Sequence, residues 1–438
     1  MGEKKAFGVV SAVLLGIGSM VGAGIFIVIG QAGSIAGNIV WLSFLFGGIA
    51  AVLSGYSLAK LALRYPSRGG IVEYLVQGFG EGIFSGSASV LFYFSQLIAI
   101  AAVAKSFGVY AATFMSSGQE SLVVNSFAVG VVLFFTTINL IGAAFVAKSE
   151  SIIVIAKVTI LVVFAVAALF TIDPAYLSAH EMPPLKNMLF AIGLTFFAYQ
   201  GFSVITNTVE DMQNPSRTMM RAMMWAIGLV ALLYILTSIA VLGNLSLQEV
   251  IRTKDYALAE AAKPIFGEWG FKIMAATALL ATASAINATL YAATEIGYTM
   301  AKEGDLPKIY SYNVFESFEG LIISTILIVP MILFFNLSEV TTVAALAVLI
   351  VQGLAHTGHL LRIKETGANI WAVGSAAAAM YSIAGLTLYY TSRHDPMVGY
   401  YMIGALFLAF LVEIALRLFT KRIVSRQIVD LFNIKRRI

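Results

Sequence analysis

The chain is poor in charged residues and has no cysteine at all. Only 11% of its 438 residues are Asp, Glu, Lys or Arg, whereas a soluble globular domain carries about 25%. This composition excludes a water-soluble protein. Because cysteine is absent, disulfides and thiolate-bound metal sites are excluded as well. There are nine prolines, and only Pro330 falls inside a long apolar run, so helix interruptions must come from glycine.

Motifs for enzyme chemistry are also missing. The sequence has no phosphate-binding P-loop, no nucleophile elbow and no His-Glu-x-x-His motif. His356 and His359 are three residues apart with no carboxylate near them in the same apolar run, so we expect them at a membrane interface rather than on a metal. The sequence thus predicts no enzyme, no cofactor and no metal. A net charge of +4 suits basic loops at a membrane better than a nucleic-acid partner.

Long apolar runs are abundant. Hydrophobic residues make up 59% of the chain, and a helix needs about 20 of them in succession to cross a bilayer. The runs predict an all-α membrane protein embedded in the lipid bilayer. We predict twelve transmembrane helices, at residues 7–33, 37–62, 81–114, 123–144, 149–172, 186–210, 218–243, 268–302, 320–336, 339–361, 369–391 and 398–420.

The basic residues predict the orientation of these spans. If the N-terminus is cytoplasmic, seventeen of the 27 lysines and arginines fall in cytoplasmic segments and five in external ones. Lys and Arg accumulate on the cytoplasmic side of membrane proteins. We therefore expect a multi-pass protein of the cell (plasma) membrane with both termini in the cytoplasm.

Glycines are concentrated at two places inside the spans. Span 1 has four between Gly16 and Gly24, and each weakens a helix by about 1 kcal/mol relative to alanine. Span 6 has Gln200 and Gly201 at mid-depth. One interpretation is close helix packing, because small residues let backbones approach. The other is that helices 1 and 6 are discontinuous, with breaks at Gly22 and Gly201. Breaks five spans apart indicate a 5+5 inverted repeat, about 7–172 and 186–361, with the site between them.

Four motifs then resemble one transporter family, the amino acid–polyamine–organocation (APC) family. They are Gly16-x-Gly-x-x-x-Gly-x-Gly-Ile-Phe26 in span 1, Pro66-x-x-Gly-Gly70 with Tyr74 and Phe79-Gly80, Glu210-x-x-x-Asn214-Pro215-x-Arg217, and Ala301-Lys-Glu-Gly-Asp-Leu-Pro307. The resemblance implies a LeuT-type fold. Residues 1–365 would form a ten-helix transport core, and residues 366–438 would form two peripheral helices and a basic cytoplasmic tail.

The resemblance also implies where an amino acid would bind. The amides of Ala23, Gly24 and Ile25 would receive its carboxylate at the start of a half-helix. Its ammonium would be held by main-chain carbonyls at three positions, Met20, Phe197 and Gln200. Phe197 is a candidate gate over the ligand.

The resemblance further suggests which amino acids fit. Relatives that carry cationic substrates tend to have an acidic residue at the position of Ser203, and neither break of this chain contains a charged residue. The substrate would therefore be a small neutral amino acid.

Lys157 is the ionisable residue that lies deepest in a span. It is about 12 Å from the start of span 5, near the middle of a hydrocarbon core of about 30 Å. Ionisable groups at such depth usually have a function. The resemblance implies that its ammonium replaces the Na⁺ of sodium-coupled relatives, held by the carbonyl of Gly18 and a hydroxyl from span 8. Ser284 is favoured over Thr282 for that hydroxyl. A purely structural lysine with a permanent internal partner is the alternative.

These features predict a secondary active transporter, with proton-coupled symport of small neutral L-amino acids by alternating access. An amino acid exchanger or a sodium-coupled symporter is the alternative within transporters. A membrane-embedded amino acid sensor or a channel comes from another class. A channel would need polar faces on several spans or a filter sequence, and neither is evident.

Overall fold

The computed structural model describes residues 8–67, 69–115, 120–141, 144–178, 183–303, 306–315 and 317–420. Within helices, nothing is described of the side chains of residues 23, 144–151, 303, 419 and 420. The predicted basic tail after residue 420 and the side chain of Ala23, a predicted site residue, thus lie outside the described part.

Helices dominate the described chain. The α-helices are α1 Val9–Ala36, α2 Val40–Arg64, α3 Ile71–Phe79, α4 Ile83–Ala112, α5 Ser121–Ile141, α6 Ala144–Leu169, α7 Leu185–Ala198, α8 Pro215–Asn244, α9 Leu247–Arg252, α10 Ala257–Glu260, α11 Lys263–Glu303, α12 Glu319–Phe334, α13 Leu337–Leu361, α14 Ile363–Thr366, α15 Ile370–His394 and α16 Pro396–Thr420. Three 3-10 helices cover Gly37–Ile39, Phe202–Asp211 and Lys308–Ser311. A two-stranded antiparallel pair, β1 Asn313–Val314 and β2 Ser317–Phe318, lies in the connection before α12.

Each of the twelve predicted apolar segments overlaps one of these helices. Ten helical stretches of the described chain are long and apolar enough to cross a membrane, and two shorter apolar helical segments are the first part of α1, Val9–Gly22, and α12. The short helices α3, α9, α10 and α14 and the strand pair were not predicted, because short elements in polar connections have too little hydrophobic periodicity.

The first helix lies at the centre of the packing. α1 contacts α7 and α8 most extensively and also α6 and α11. α2 packs against α8, α7 and α15, and α13 packs against α4 and α15. α16 packs against α4, and large apolar side chains such as Phe407 on its other face are exposed, as suits a helix in contact with lipid. α1 therefore brings the predicted site residues of α6, α7 and α11 together.

Candidate functional site

The predicted interruption of span 1 is absent, because α1 is a continuous helix from Val9 to Ala36. Its glycines permit close packing instead. A Cβ on Gly22 would lie 2.8 Å from the Cβ of Ala285 in α11, too near for two carbon atoms. Close packing, the alternative interpretation of these glycines, is thus the one that the structure supports.

The amides of Ala23, Gly24 and Ile25 consequently lie inside a helix and not at its start. A Cβ on Gly24 would overlap the carbonyl oxygen of Ala198, the last residue of α7. The backbones of α1 and α7 therefore touch at this position, which only glycine allows.

The break predicted in span 6 is present. α7 ends at Ala198, Gly201 adopts φ +114°, and a 3-10 helix continues from Phe202. A residue with a Cβ is strained at a φ in this range, so Gly201 permits the change of direction. The backbone of Gly201 packs on Ser19 of α1, where a Cβ would lie 2.5 Å from Ser19 Oγ.

Tyr234 of α8 joins the two glycine-rich regions and was not predicted. Its hydroxyl donates to the carbonyl oxygen of Met20 at 2.8 Å and also lies 3.1 Å from that of Ala198. The side chain is fully buried. Its signal in the sequence is one tyrosine within an apolar run that also holds Thr237 and Ser238, which packing explains equally well.

The other predicted substrate residues lie around the same break. Phe197 is buried in the last turn of α7, and Ile25 is buried in α1. Gln200 is half-buried and its Oε1 accepts a hydrogen bond from Gln352 of α13 at 3.2 Å. Ser203 is half-buried in the 3-10 helix after the break.

Lys157 makes the predicted contact with α1. Its side chain is 1% exposed, and Nζ donates to the carbonyl oxygen of Gly18 at 2.8 Å. Ser284 of α11 is buried, and Thr282 donates its hydroxyl hydrogen to the Ala278 carbonyl of its own helix at 2.7 Å. The contact between Lys157 and Gly18 is thus present, whereas its role in proton coupling remains a prediction.

The two histidines of α13 are enclosed by protein. His356 and His359 are both fully buried. Their Nδ1 atoms lie 2.8 Å from one hydroxyl, that of Ser57 in α2. This burial depends on the packing of α2 against α13, which hydropathy does not show, and the expected position at a membrane interface stays a prediction.

Comparison with known proteins agrees with this architecture. The family described as amino acid permease matches residues 7–425. The inner membrane transport protein YbaT of Escherichia coli is 38% identical over 348 residues, 79% of this chain and 81% of that protein. The uncharacterized protein MJ0609 of Methanocaldococcus jannaschii is 33% identical over 425 residues, 97% of this chain and 98% of that protein. The serine/threonine exchanger SteT of Bacillus subtilis is 26% identical over 313 residues, 70% of either chain.

The family match covers nearly the whole chain, including every residue of the site around α1 and α7. The relatives named as transporters and the many apolar helices point to the same class of protein. The chain therefore belongs to the amino acid permease family and is a multi-pass membrane transporter of amino acids.

Proposed function

We propose that this transporter is a proton-coupled symporter that takes up small neutral L-amino acids by alternating access. It resides in the cell membrane with both termini in the cytoplasm and has twelve transmembrane helices. Residues 1–365 form a LeuT-type core of two inverted five-helix repeats, and α15 and α16, with the tail, form the peripheral unit 366–438.

The observation that carries the proposal is the contact between Lys157 and Gly18. An ammonium group buried in the membrane-embedded core donates to a main-chain carbonyl of the central helix. Charged groups are costly at this depth and are retained where they serve transport. A lysine can lose and regain one proton at this position, whereas a bound Na⁺ would compete with its ammonium for the same carbonyl. This chemistry favours H⁺ over Na⁺ as the coupling ion.

The substrate site lies where Tyr234 bridges α1 and α7. The Tyr234 hydroxyl lies within hydrogen-bond distance of the carbonyl oxygens of Met20 and Ala198. An ammonium group at this position would therefore have two hydrogen-bond acceptors. In the proposed cycle the substrate ammonium takes over these acceptors. The glycine-rich turn of α1 opens to free the amides of Ala23, Gly24 and Ile25 for the carboxylate. Each glycine lowers the cost of that opening by about 1 kcal/mol relative to alanine.

The lining of the site suits a small, uncharged side chain. Phe197 covers it as a gate, and Gln200 and Ser203 contribute neutral polar groups. A cationic substrate side chain would be desolvated there without a carboxylate partner, at a cost of several kcal/mol. Alanine is therefore a suitable test substrate.

Coupling follows from the position of Lys157 between helices. The protonated side chain ties α6 to α1 through Gly18 and, with Ser284 of α11 as the second contact, stabilises the outward-facing state that binds the amino acid. Loss of the proton toward the cytoplasm releases the inner part of α1. The inner pathway then opens, and the substrate leaves.

Uptake of labelled alanine into proteoliposomes tests the proposal. We expect an inward proton gradient to drive accumulation in the absence of Na⁺, and an alanine gradient to move protons in the same direction. Accumulation that requires Na⁺, or that does not depend on the proton gradient, would contradict proton symport.

Tyr234→Phe is expected to lower the rate of alanine transport by about tenfold, because an unpaired buried carbonyl costs about 1–3 kcal/mol. The measurement is uptake at saturating alanine, with protein stability followed by thermal unfolding. Tyr110→Phe is the matched control, since that buried hydroxyl also donates to an α1 carbonyl, that of Phe26 at 3.0 Å. Equal losses in both variants would mean that the Tyr234 hydroxyl has only a structural role.

Exchange of amino acids is the second candidate, favoured by the similarity to a protein named as a serine/threonine exchanger. An exchanger needs substrate on both sides of the membrane. Liposomes without internal amino acid therefore distinguish the two, because only a symporter accumulates alanine into them.

A further inference from the structure

One face of α8 stays exposed over about three turns of the helix. Its residues are Arg221, Trp225, Leu229 and Leu232, and the exposed fraction of Trp225 is 62%. Spacings of four, four and three residues keep these side chains on one side of the helix. The other side packs against α1 and α2 and includes the buried Tyr234. The exposed face thus points away from the proposed substrate site.

This face contains a groove of about 540 Å³ whose lining residues all belong to α8. The groove extends from Arg221 to Leu232, which are eleven residues, or about 16 Å, apart along the helix axis. One half of a hydrocarbon core of about 30 Å is about 15 Å. The groove is therefore as long as one leaflet is thick, from the lipid headgroups to the middle of the bilayer.

Polarity changes along the groove in the same order as in a lipid leaflet. Arg221 stands at one end, Trp225 follows one turn later, and Leu229 and Leu232 complete the other end. A long arginine side chain reaches from an apolar segment to the headgroups, and tryptophan favours the boundary between headgroups and acyl chains. In the proposed orientation α8 begins at the cytoplasmic side, so Arg221 lies at the headgroups of the cytoplasmic leaflet.

The polar end of the groove carries two positive charges. Arg217 lies one turn before Arg221, and both residues are exposed. Neither arginine forms a salt bridge with another residue that the structure describes. The nearest acidic residues in the sequence, Glu210 and Asp211, end the preceding 3-10 helix and already have interaction partners. Guanidinium groups bind phosphate oxygens in pairs of hydrogen bonds, so a phosphate is the complementary ligand.

We propose that this face of α8 binds one anionic phospholipid of the cytoplasmic leaflet. The phosphate of its headgroup bonds to the guanidinium groups of Arg217 and Arg221. One acyl chain lies in the groove, along Trp225 and Leu229 to Leu232. The choice of leaflet rests on the proposed orientation, whereas the site itself depends neither on the orientation nor on proton coupling.

A second copy of this chain is the competing occupant, because exposed helix faces in membranes also pack against one another. Two copies in one membrane have the same orientation, so this face would bring Arg217 and Arg221 of both copies to the same side of the bilayer. Like charges would then meet without a carboxylate between them. A lipid phosphate instead neutralises them, so the charges favour a lipid.

Trp225 is a probe within the site, because bromine atoms on an acyl chain quench the fluorescence of a tryptophan that they touch. The protein is reconstituted into phosphatidylcholine vesicles in which a fraction of the lipid is either brominated phosphatidylglycerol or brominated phosphatidylcholine. The chain has four tryptophans, so every measurement is repeated with Trp225→Phe introduced in the same background. The difference between the two is the fluorescence of Trp225.

We expect brominated phosphatidylglycerol to quench Trp225 at a mole fraction at least about tenfold lower than brominated phosphatidylcholine, because each arginine near the surface attracts an anionic lipid. Replacement of both arginines, Arg217→Gln with Arg221→Gln, should reduce this preference to about twofold or less. Both side chains are exposed, so the thermal unfolding of the double variant should match that of the native protein.

Lys308→Gln with Lys364→Gln is the matched control. Both lysines are exposed and are predicted to face the cytoplasm, and neither the 3-10 helix Lys308–Ser311 nor α14 packs extensively against α8. This control removes the same number of positive charges from the same side of the protein. It should keep the native preference for phosphatidylglycerol at Trp225.

Four results would overturn the site. Equal quenching by the two brominated lipids would show that the groove takes any lipid, and no quenching by either would show that protein, such as a second copy, covers it. A preference that survives in the double arginine variant would place the headgroup elsewhere. A preference that falls as far in the lysine control would show attraction by general surface charge. The vesicles carry no proton gradient and the same lipids in both leaflets, so a failure of proton symport leaves each of these results unchanged.

Discussion

Lys157→Met is expected to abolish proton-driven accumulation of alanine, with a loss of at least about 100-fold relative to the native protein. Methionine has a similar length and fills the same buried space, but it carries no proton and gives the Gly18 carbonyl no hydrogen bond. Without the proposed proton carrier, the proton gradient can no longer drive accumulation of alanine. Counterflow should remain measurable, because the proposed substrate residues lie on α1 and around the break after α7. The measurement is accumulation under an imposed proton gradient, followed by counterflow in the same vesicles.

Lys272→Met is the matched control for this variant. Lys272 is an exposed lysine of α11 whose ammonium lies 5.2 Å from the centre of the Trp269 ring. The same chemical change there should leave accumulation unaltered. Gradient-driven accumulation by Lys157→Met at the native level would show that the buried lysine is structural.

Gly24→Ala should stop transport almost completely, with a loss of about 100-fold or more in both uptake and counterflow. The added methyl group would overlap the Ala198 carbonyl and lie 2.5 Å from the Tyr234 hydroxyl. Relief of this overlap requires α1 and α7 to separate at the point where the substrate is proposed to bind. Overpacking of this kind costs about 1–3 kcal/mol, so we expect the protein still to fold but to unfold at a lower temperature.

Gly228→Ala provides the comparison for Gly24→Ala. It makes the same change in the membrane-spanning helix α8, where an added Cβ meets no atom within 4 Å. This variant should transport normally and be at least as stable as the native protein, since alanine favours helix by about 1 kcal/mol. If Gly24→Ala and Gly228→Ala transport alanine at the same rate, the close approach of α1 and α7 is not needed for transport.

The helices were predictable because the bilayer acts as a uniform solvent. Each apolar run of about 20 residues must form a helix that satisfies its own backbone, whatever its neighbours are. The twelve predicted segments accordingly coincide with helices such as α8 and α13. The break at Gly201 was also predictable, since a glycine beside a glutamine inside an apolar run is a local feature.

The contact of Lys157 with Gly18 was predicted from depth and from the family resemblance together. Depth alone indicates that a lysine needs a partner, but not which of the surrounding carbonyls it finds. The continuity of α1 was mispredicted for a related reason. Glycines in a helix permit a break and close packing equally, and only the position of α7, α8 and α11 around them decides between the two.

By itself, the sequence determined that this protein lies in a membrane, which segments are helical and where an ionisable lysine lies deep in a span. Composition and runs of neighbouring residues are enough for these conclusions, because they depend on the solvent and not on the fold. The tertiary structure alone decided that Tyr234 bridges Met20 and Ala198, and that Ser54 and Ser57 join Gln352, His356 and His359. These partners lie on helices far apart in the chain. Hydrogen bonds of 2.8–3.1 Å between them depend on how the helices pack, which no local pattern of residues records.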